Sequence, residues 1–440
     1  MKNQFLSAFL LISASLFGCN SKSNGQQTSS STTVKTGAGN TIELPAADTK
    51  ASKNNFSKVI GWPEGKTPIA PEGFVVSKFA EGMKSPRNIV VAPNGDVIVV
   101  LSNSERSKVE QAANAITGKA KSEVQGKSVN TIMLFRDANK DGKPEMISTF
   151  LSGLNQPYGA AFIGNSFYVA NTDGVWMYPY KTGDTEITGV GKKILELPAG
   201  GYNNHWTRNL IVNAANNKIY VSVGSGSNVA EHGIENEKRR ANILEINPDG
   251  TGEKIYGSGL RNPVGMAWAP GTNALWTAVN ERDGLGDDLV PDYITSVKEG
   301  AFYGWPYAYF GQNEDPRLKG QNPELVKSTI VPDIPVGAHT ASLGLAFYTA
   351  KKFPAKYQGG AFIGQHGSWN RSELAGYKVA FVPFTQGKPS GKLEDFLTGF
   401  VADKDQSKVY GRPVGVAVAQ DGALLVADDV SGIIWRVTAN

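Results

Sequence analysis

His205 stands between turn-prone asparagines and an apolar run in the stretch Gly200–Val229, GGYNNHWTRNLIVNAANNKIYVSVGSGSNV. A histidine at the mouth of a sheet can take a proton near neutral pH, because its unperturbed pKa is about 6.5. Taken alone, the same residue is equally an ordinary polar turn histidine. Arg261-Asn262-Pro263-Val264-Gly265 sets a guanidinium beside an amide at the start of another apolar run. That pair suits a carboxylate or a quinone oxygen, bound in bidentate fashion. Arg412-Pro413-Val414-Gly415 repeats the idea near the end of the chain. Two arginines facing one channel suggest an anionic ligand.

Asn280–Asp288, NERDGLGDD, is acidic and glycine-rich. Carboxylates and bare backbone carbonyls are what a hard cation such as Ca²⁺ requires, although a solvated acidic loop has the same composition. Phe302-Tyr303-Gly304-Trp305-Pro306 follows, a stiff aromatic turn suited to stacking on a flat ligand or to packing inside its own loop. Asp137–Glu145 has the D-x-N-x-D-G opening of a calcium loop, but its twelfth position is Ser148, so it is no EF-hand. His339 and His366 each fall at a strand end. No histidine pair has HxH or HExxH spacing, so zinc is not expected.

These residues need a scaffold that brings distant turns together. One pattern recurs: a Pro- or Arg-containing turn, a short apolar strand, an Asn/Asp/Gly turn and a second apolar strand. Copies begin at Pro86, Gln156, Trp206, Arg261, Leu343 and Arg412. Alternation with NG, DG and GN turns predicts hairpins, and most copies are followed by a third strand. Such units cannot bury both faces alone; stacking them radially does, which predicts an all-β, six-bladed β-propeller. The leading strand of each blade would line the central channel, so the Arg, His and Asn turns would converge on one mouth. Glu105–Lys127 and Glu231–Arg240 are expected as charged surface excursions. Asn280–Phe310 and Phe310–His339 are expected to roof the channel.

Fifty glycines and 23 prolines in 440 residues suit a turn-rich chain rather than a helical one. The 44 basic and 40 acidic residues nearly balance, and no basic run is dense enough to hold nucleic acid. Lys2, the apolar run Phe5–Phe17 and the single cysteine, Cys19, form an N-terminal targeting segment too short to span a bilayer. It resembles the bacterial lipoprotein cleavage box, in which the cysteine is lipidated, with Phe17 departing from the small residue usual there. This divides the chain into a signal peptide over 1–18, a flexible tether over 19–55 and a catalytic propeller over 56–440. The expected location is outside the cell or in the periplasm, anchored to a bacterial membrane by lipid on Cys19.

Asn204-His205-Trp206-Thr207-Arg208, Gly224–Asn228, Arg261-Asn262-Pro263, Gly286-Asp287-Asp288 and Tyr303-Gly304-Trp305-Pro306, in that order, resemble the pyrroloquinoline quinone (PQQ) dependent sugar dehydrogenases. The likeness runs from about Phe74 to the end and is stronger to the sorbosone dehydrogenase branch than to the soluble glucose dehydrogenases. It implies a six-bladed propeller holding PQQ and Ca²⁺ and oxidising a sugar or an aldehyde. His205 would be the catalytic base. Arg261 and Asn262 would contact the quinone, with Arg261 polarising it, and Arg412 would bind the cofactor. Backbone carbonyls at Arg282 and Asp283, with Asp287 and Asp288 behind, would hold the metal; the glucose enzymes have Gly-Pro there. His366 or Arg371 stands near the place of the family's cofactor-binding lysine. His339 and Gln156 stand near residues lining the same pocket. The sequence names neither the sugar nor the electron acceptor.

Two other readings stay open. A metal-dependent lactonase on a similar propeller would ring its cation with Glu, Asn and Asp, where these turns offer Arg, His and Asn. A non-catalytic ligand-binding propeller lipoprotein would share the fold without the chemistry.

Overall fold

Short apolar strands punctuated by Gly and Asn turns build antiparallel hairpins, and the computed structural model, which describes residues 31–50 and 53–440, is nearly all-β. Among the described residues, six sheets have four or five strands each. Their leading strands are Pro86–Val91, Gly159–Ile163, Leu210–Val212, Pro263–Trp268, Ser342–Phe347 and Pro413–Val418, one in each copy of the sequence pattern. The sixth sheet is completed by Phe74–Ala80, which pairs antiparallel with Ile433–Ala439 and so joins early and late parts of the chain. This is an organisation of the β-propeller kind.

The sheets bury their faces against one another in sequence order. Ile98, Val100 and Ile132 of the first sheet pack on Phe167 and Val169 of the second. Tyr168 and Val175 pack on Val221 and Leu244 of the third, and Tyr220 and Ile243 on Met266 and Tyr293 of the fourth. Trp276 and Ile294 meet Phe347 and Ile363 of the fifth. Phe362 and Phe381 meet Leu424 and Trp435 of the sixth. Leu425 and Ile434 then meet Ile89 and Val99 of the first. Each such buried side chain contributes roughly 1.5–3 kcal/mol, so the interfaces hold the turns in place without disulfides.

Turn asparagines tie neighbouring leading strands together. Asn88 donates to the Tyr158 carbonyl at 3.0 Å and Asn209 to the Val264 carbonyl at 2.7 Å. At Gly415 the sixth leading strand runs so near the first that an added Cβ would lie 2.8 Å from the Arg87 carbonyl oxygen.

The expected tether needs correction over its described part. Thr32–Lys35 and Thr41–Leu44 pair as a hairpin, and Leu44 packs with Val34 and Ile42 into the core around Leu285 and Tyr293. A polar, Thr-rich composition hid a two-residue alternation of Val34, Ile42 and Leu44. The expected signal peptide and Cys19 lie outside the described residues. Of the two charged excursions, Lys108–Thr117 is a helix with a Ser107/Glu110 capping box and no buried residue. Glu231–Arg240 contains one short turn of helix, Ile234–Glu237.

Candidate active site

The turns before five of the six leading strands meet at one polar cavity. Its lining includes Arg87, His205, Arg261, Asn262, His366 and Arg412. Tyr158, just before the second leading strand, forms an apolar cluster with Val264, Leu343 and Val414 of three other leading strands, and Leu343 also lines the cavity.

His205 rides on a short turn that Arg208 fixes. The Arg208 side chain is fully buried and donates to the carbonyls of His205, Thr207 and Pro198 and to Asn203 Oδ1. The His205 ring is fixed in turn by Ser225: Nδ1 lies 2.9 Å from both the Ser225 carbonyl oxygen and Ser225 Oγ. Ser225 Oγ donates its own proton to the Ser227 carbonyl at 2.6 Å. Both oxygens therefore accept from Nδ1, which must carry the proton, and Nε2 is left bare. Burial and the neighbouring Arg261 hold the ring well below the usual histidine pKa, so it is neutral at pH 7.

The two other cavity histidines are in different states. His339 Nδ1 faces Asp283 Oδ1 at 3.1 Å, and Nε2 faces the Gly286 carbonyl at 2.8 Å. With acceptors on both sides it is an imidazolium: burial opposes the charge, but Asp283 outweighs it and raises the pKa. His366 Nε2 donates to Asp429 at 2.9 Å, while burial and Arg412 push its pKa down to about 4.

Arg261 does not present the expected free donor. Its Nε donates to the Asn228 carbonyl and Nη1 to the carbonyls of Asn280 and Glu281. Its Nη2 donates to Asn228 Oδ1 and Asp283 Oδ2. A guanidinium has five N–H bonds, and all five are used, so Arg261 acts on the cavity as a fixed positive charge rather than as a hydrogen-bond donor. Asn262 is the reverse case, with a buried Oδ1 that has no partner. Arg412 donates to the carbonyls of His366, Ser122 and Gly367, binding the helical excursion to the cavity wall.

Of the metal set expected at the Arg282 and Asp283 carbonyls with Asp287 and Asp288 behind, Asp283 lines the cavity and the two aspartates behind it do not. The Arg282 guanidinium pairs with Asp315 at 2.9 Å, and the Asp283 carbonyl already accepts from Asn228 and Arg282. Asp287 takes the Ser372 amide outside the cavity, and Asp288 is exposed beside Arg371. The far end of this glycine-rich loop turns away from the cavity, which composition alone does not reveal. Arg371 and Gln156 also lie off the cavity lining; Gln156 Nε2 supports it from behind by donating to the Asn103 carbonyl at 3.0 Å. Among the described residues, the one group of three acids within metal-ligand reach of each other is Asp137, Asp141 and Glu145, in the loop between Thr131–Arg136 and Met146–Leu151.

The structure adds residues that the sequence motifs did not single out. Arg87 pairs with Asp429 across the cavity wall, and Arg106 and Lys119 enter from the excursion. Glu281 and Asp292 are buried there, and desolvation raises their pKa values to about 7 and about 6. Arg87 was findable: Arg-Asn recurs at Arg87-Asn88, Arg208-Asn209 and Arg261-Asn262. Glu281 falls inside the acidic loop Asn280–Asp288 already singled out, whereas Asp292, eleven residues further on, belongs to no motif.

A family model described as TrAA12-like matches residues 68–307 and 312–440. An uncharacterized protein of Borreliella burgdorferi is 31% identical over 378 residues, covering 83% of this chain and 94% of that one. A pyrroloquinoline quinone-dependent pyranose dehydrogenase of Coprinopsis cinerea is 23% identical over 432 residues, covering 83% of this chain and 54% of the enzyme, so the chain spans about half of that relative's length. The calcium structure of a Trichoderma reesei carbohydrate-active enzyme of family AA12 shares the fold, with a TM-score of 0.68 at 18% identity over 88% of this chain and 99% of that one. The chain belongs to the TrAA12-like family, within the PQQ-dependent sugar dehydrogenases whose motifs it carries.

Proposed function

We propose that this chain is a PQQ- and calcium-dependent oxidoreductase that oxidises a sugar, with His205 as general base, on a closed six-bladed propeller. The observation that carries the reading is the bare Nε2 of a neutral His205 in a cavity lined by both cations and acids, Arg87, Lys119 and Arg412 beside Glu281 and Asp292. Support for closure comes from the packing of the sixth sheet on the first and from the strand Phe74–Ala80 added to the last sheet.

The residues present fit the cofactor and the metal. Arg106 Nε and Asn262 Oδ1 are buried polar atoms without partners, and Arg87, Lys119 and Arg412 line the same cavity. The cations would hold the carboxylates of the quinone, and Asn262 Oδ1 would accept from an N–H of the cofactor. Glu281 and Asp292 are the least neutralised acids of the cavity and would hold a divalent cation. PQQ, when bound, would supply the acceptor for the hydride leaving the sugar carbon.

The chain's own part is proton and charge handling. Nε2 of His205 accepts the proton of the sugar hydroxyl as the C–H bond on the same carbon breaks. The fixed charge of Arg261 stabilises negative charge developing beside it, in a site where little water screens it. His339 and Asp283 hold Arg261 and the loop that carries Gly286 in place. Glu281, Asp283 and Asp292 are acids a lactonase could use, but Arg87, Arg106, Lys119 and Arg412 share the cavity with them, and a metal ringed by Glu, Asn and Asp does not need those cations. A histidine held in one tautomer gives a merely ligand-binding propeller nothing it needs.

The test is reconstitution. The purified chain with PQQ and Ca²⁺ is given a panel of aldoses and an artificial dye. Dye reduction, with a change in cofactor absorbance on adding sugar, supports the reading. Cofactor binding without dye reduction on any sugar or aldehyde overturns it. For location, we propose export and lipid attachment at Cys19, supported by the targeting segment before it.

A further inference from the structure

We infer that Phe56, which lies outside the six sheets, is a specificity-determining residue that forms a sugar-ring subsite with Trp369. The inference rests on the proposed sugar oxidation. The two rings lie parallel, with an interplanar angle of 3° and centroids 5.8 Å apart, and both line the cavity that holds His205. Trp369 remains 37% exposed, so its stacking on Phe56 leaves aromatic surface for a ligand. Lys119 Nζ stands 5.5 Å from the Trp369 centroid.

The wall is held from outside. Asn55 donates through its backbone N–H to the Trp369 carbonyl and through Nδ2 to the Ser372 carbonyl, both at 2.8 Å. Its Oδ1 accepts from Ser407 Oγ at 2.6 Å. Asn370 links the same strap to the acidic loop: Nδ2 donates to Asn54 Oδ1, and Oδ1 accepts the Gly284 amide. After Phe56 the Lys58 amide donates to the Ser407 carbonyl at 2.7 Å. A strap tied on both sides of its aromatic ring presents that ring without an ordering cost on binding.

The chemistry of the wall differs from the rest of the cavity. Arginines, lysine and carboxylates answer charged or metal-binding groups. A flat apolar wall at the rim instead matches the C–H face of an uncharged pyranose ring, whose hydroxyl edges point toward polar partners.

The experiment measures steady-state kinetics of the reconstituted full chain and of Phe56→Ala on several pyranoses, with PQQ affinity taken separately from an absorbance titration. Sugar binding to the PQQ-free proteins is followed by tryptophan fluorescence. The expected result is KM raised about three- to tenfold and the ranking of sugars changed, as for loss of one aromatic contact. Turnover number and PQQ affinity stay within about twofold, and Phe56→Tyr restores the parent KM. Unchanged KM and ranking in Phe56→Ala, with an active parent, overturn this inference alone. A parent that binds PQQ but oxidises no sugar overturns the functional reading and this one with it.

Discussion

His205 Nδ1 faces two oxygens of Ser225 at 2.9 Å, and the hydroxyl among them has already committed its proton to Ser227. One residue thereby fixes which nitrogen of the ring is basic. The arrangement separates two jobs: Ser225 holds the tautomer, and Arg261 with burial keeps the ring neutral.

Removing the hydroxyl tests the first job. In Ser225→Ala the carbonyl still accepts from Nδ1, so the tautomer survives with a looser ring. Turnover of the reconstituted enzyme should fall about three- to tenfold, the size of one lost neutral hydrogen bond. A loss as large as that of His205→Ala would mean that Ser225 takes part in the chemistry itself.

Gly224 sits between His205 and Asn262. A Cβ there would lie 2.5 Å from Asn262 Oδ1 and 2.7 Å from His205 Cβ, so Gly224→Ala must push the two apart. A misplacement of this kind costs on the order of 100-fold in turnover. Circular dichroism should show the sheets intact. Parent-like turnover in Gly224→Ala would show that the spacing of His205 and Asn262 is immaterial.

Two histidines give the pH dependence. His205 is held well below 6.5, so kcat/KM should persist below pH 6.5 and fall only as pH drops through that lowered value. An acid limb centred at or above about 6.5 in the kcat/KM profile would contradict this. Stability moves in the same direction through His366, whose folded pKa is about 4 against about 6.5 unfolded. Between those values the unfolded chain binds more protons, so this contribution is complete above about pH 6.5 and is lost as pH falls toward 4. Glu281, Asp292 and His339, whose pKa values are raised, act in the opposite direction, so the His366 share is read by difference. At constant ionic strength the Tm of the parent should fall relative to that of His366→Asn as pH drops from about 6.5 toward 4.

The six leading strands were legible because hairpin alternation and turn residues are local signals, and local signals survive in sequence. His205, Arg261, Asn262, His339, His366 and Arg412 do meet at one cavity, because each sits at the same place in its copy of the pattern or at a strand end. Asp287, Asp288 and Arg371 were misplaced because a loop's composition does not say which side faces in. The free donor expected on Arg261 failed for a related reason: its partners Asn228, Asn280 and Asp283 come from two other loops. Phe56 was invisible, since it stands alone at the boundary between tether and propeller and its partner Trp369 is more than 300 residues away.

Lipid attachment has its own test. Cys19→Ala should move the expressed chain from the membrane pellet to the soluble fraction of a bacterial host, with the reconstituted activity retained. Equal pelleting of parent and variant would exclude Cys19 as the anchor.

The most direct test of the account is turnover of His205→Ala after PQQ and Ca²⁺ have been added and cofactor binding confirmed by absorbance. Loss of a positioned general base predicts turnover lower by roughly two to four orders of magnitude, with the cofactor still bound. Turnover within a few-fold of the parent would contradict the role given to His205.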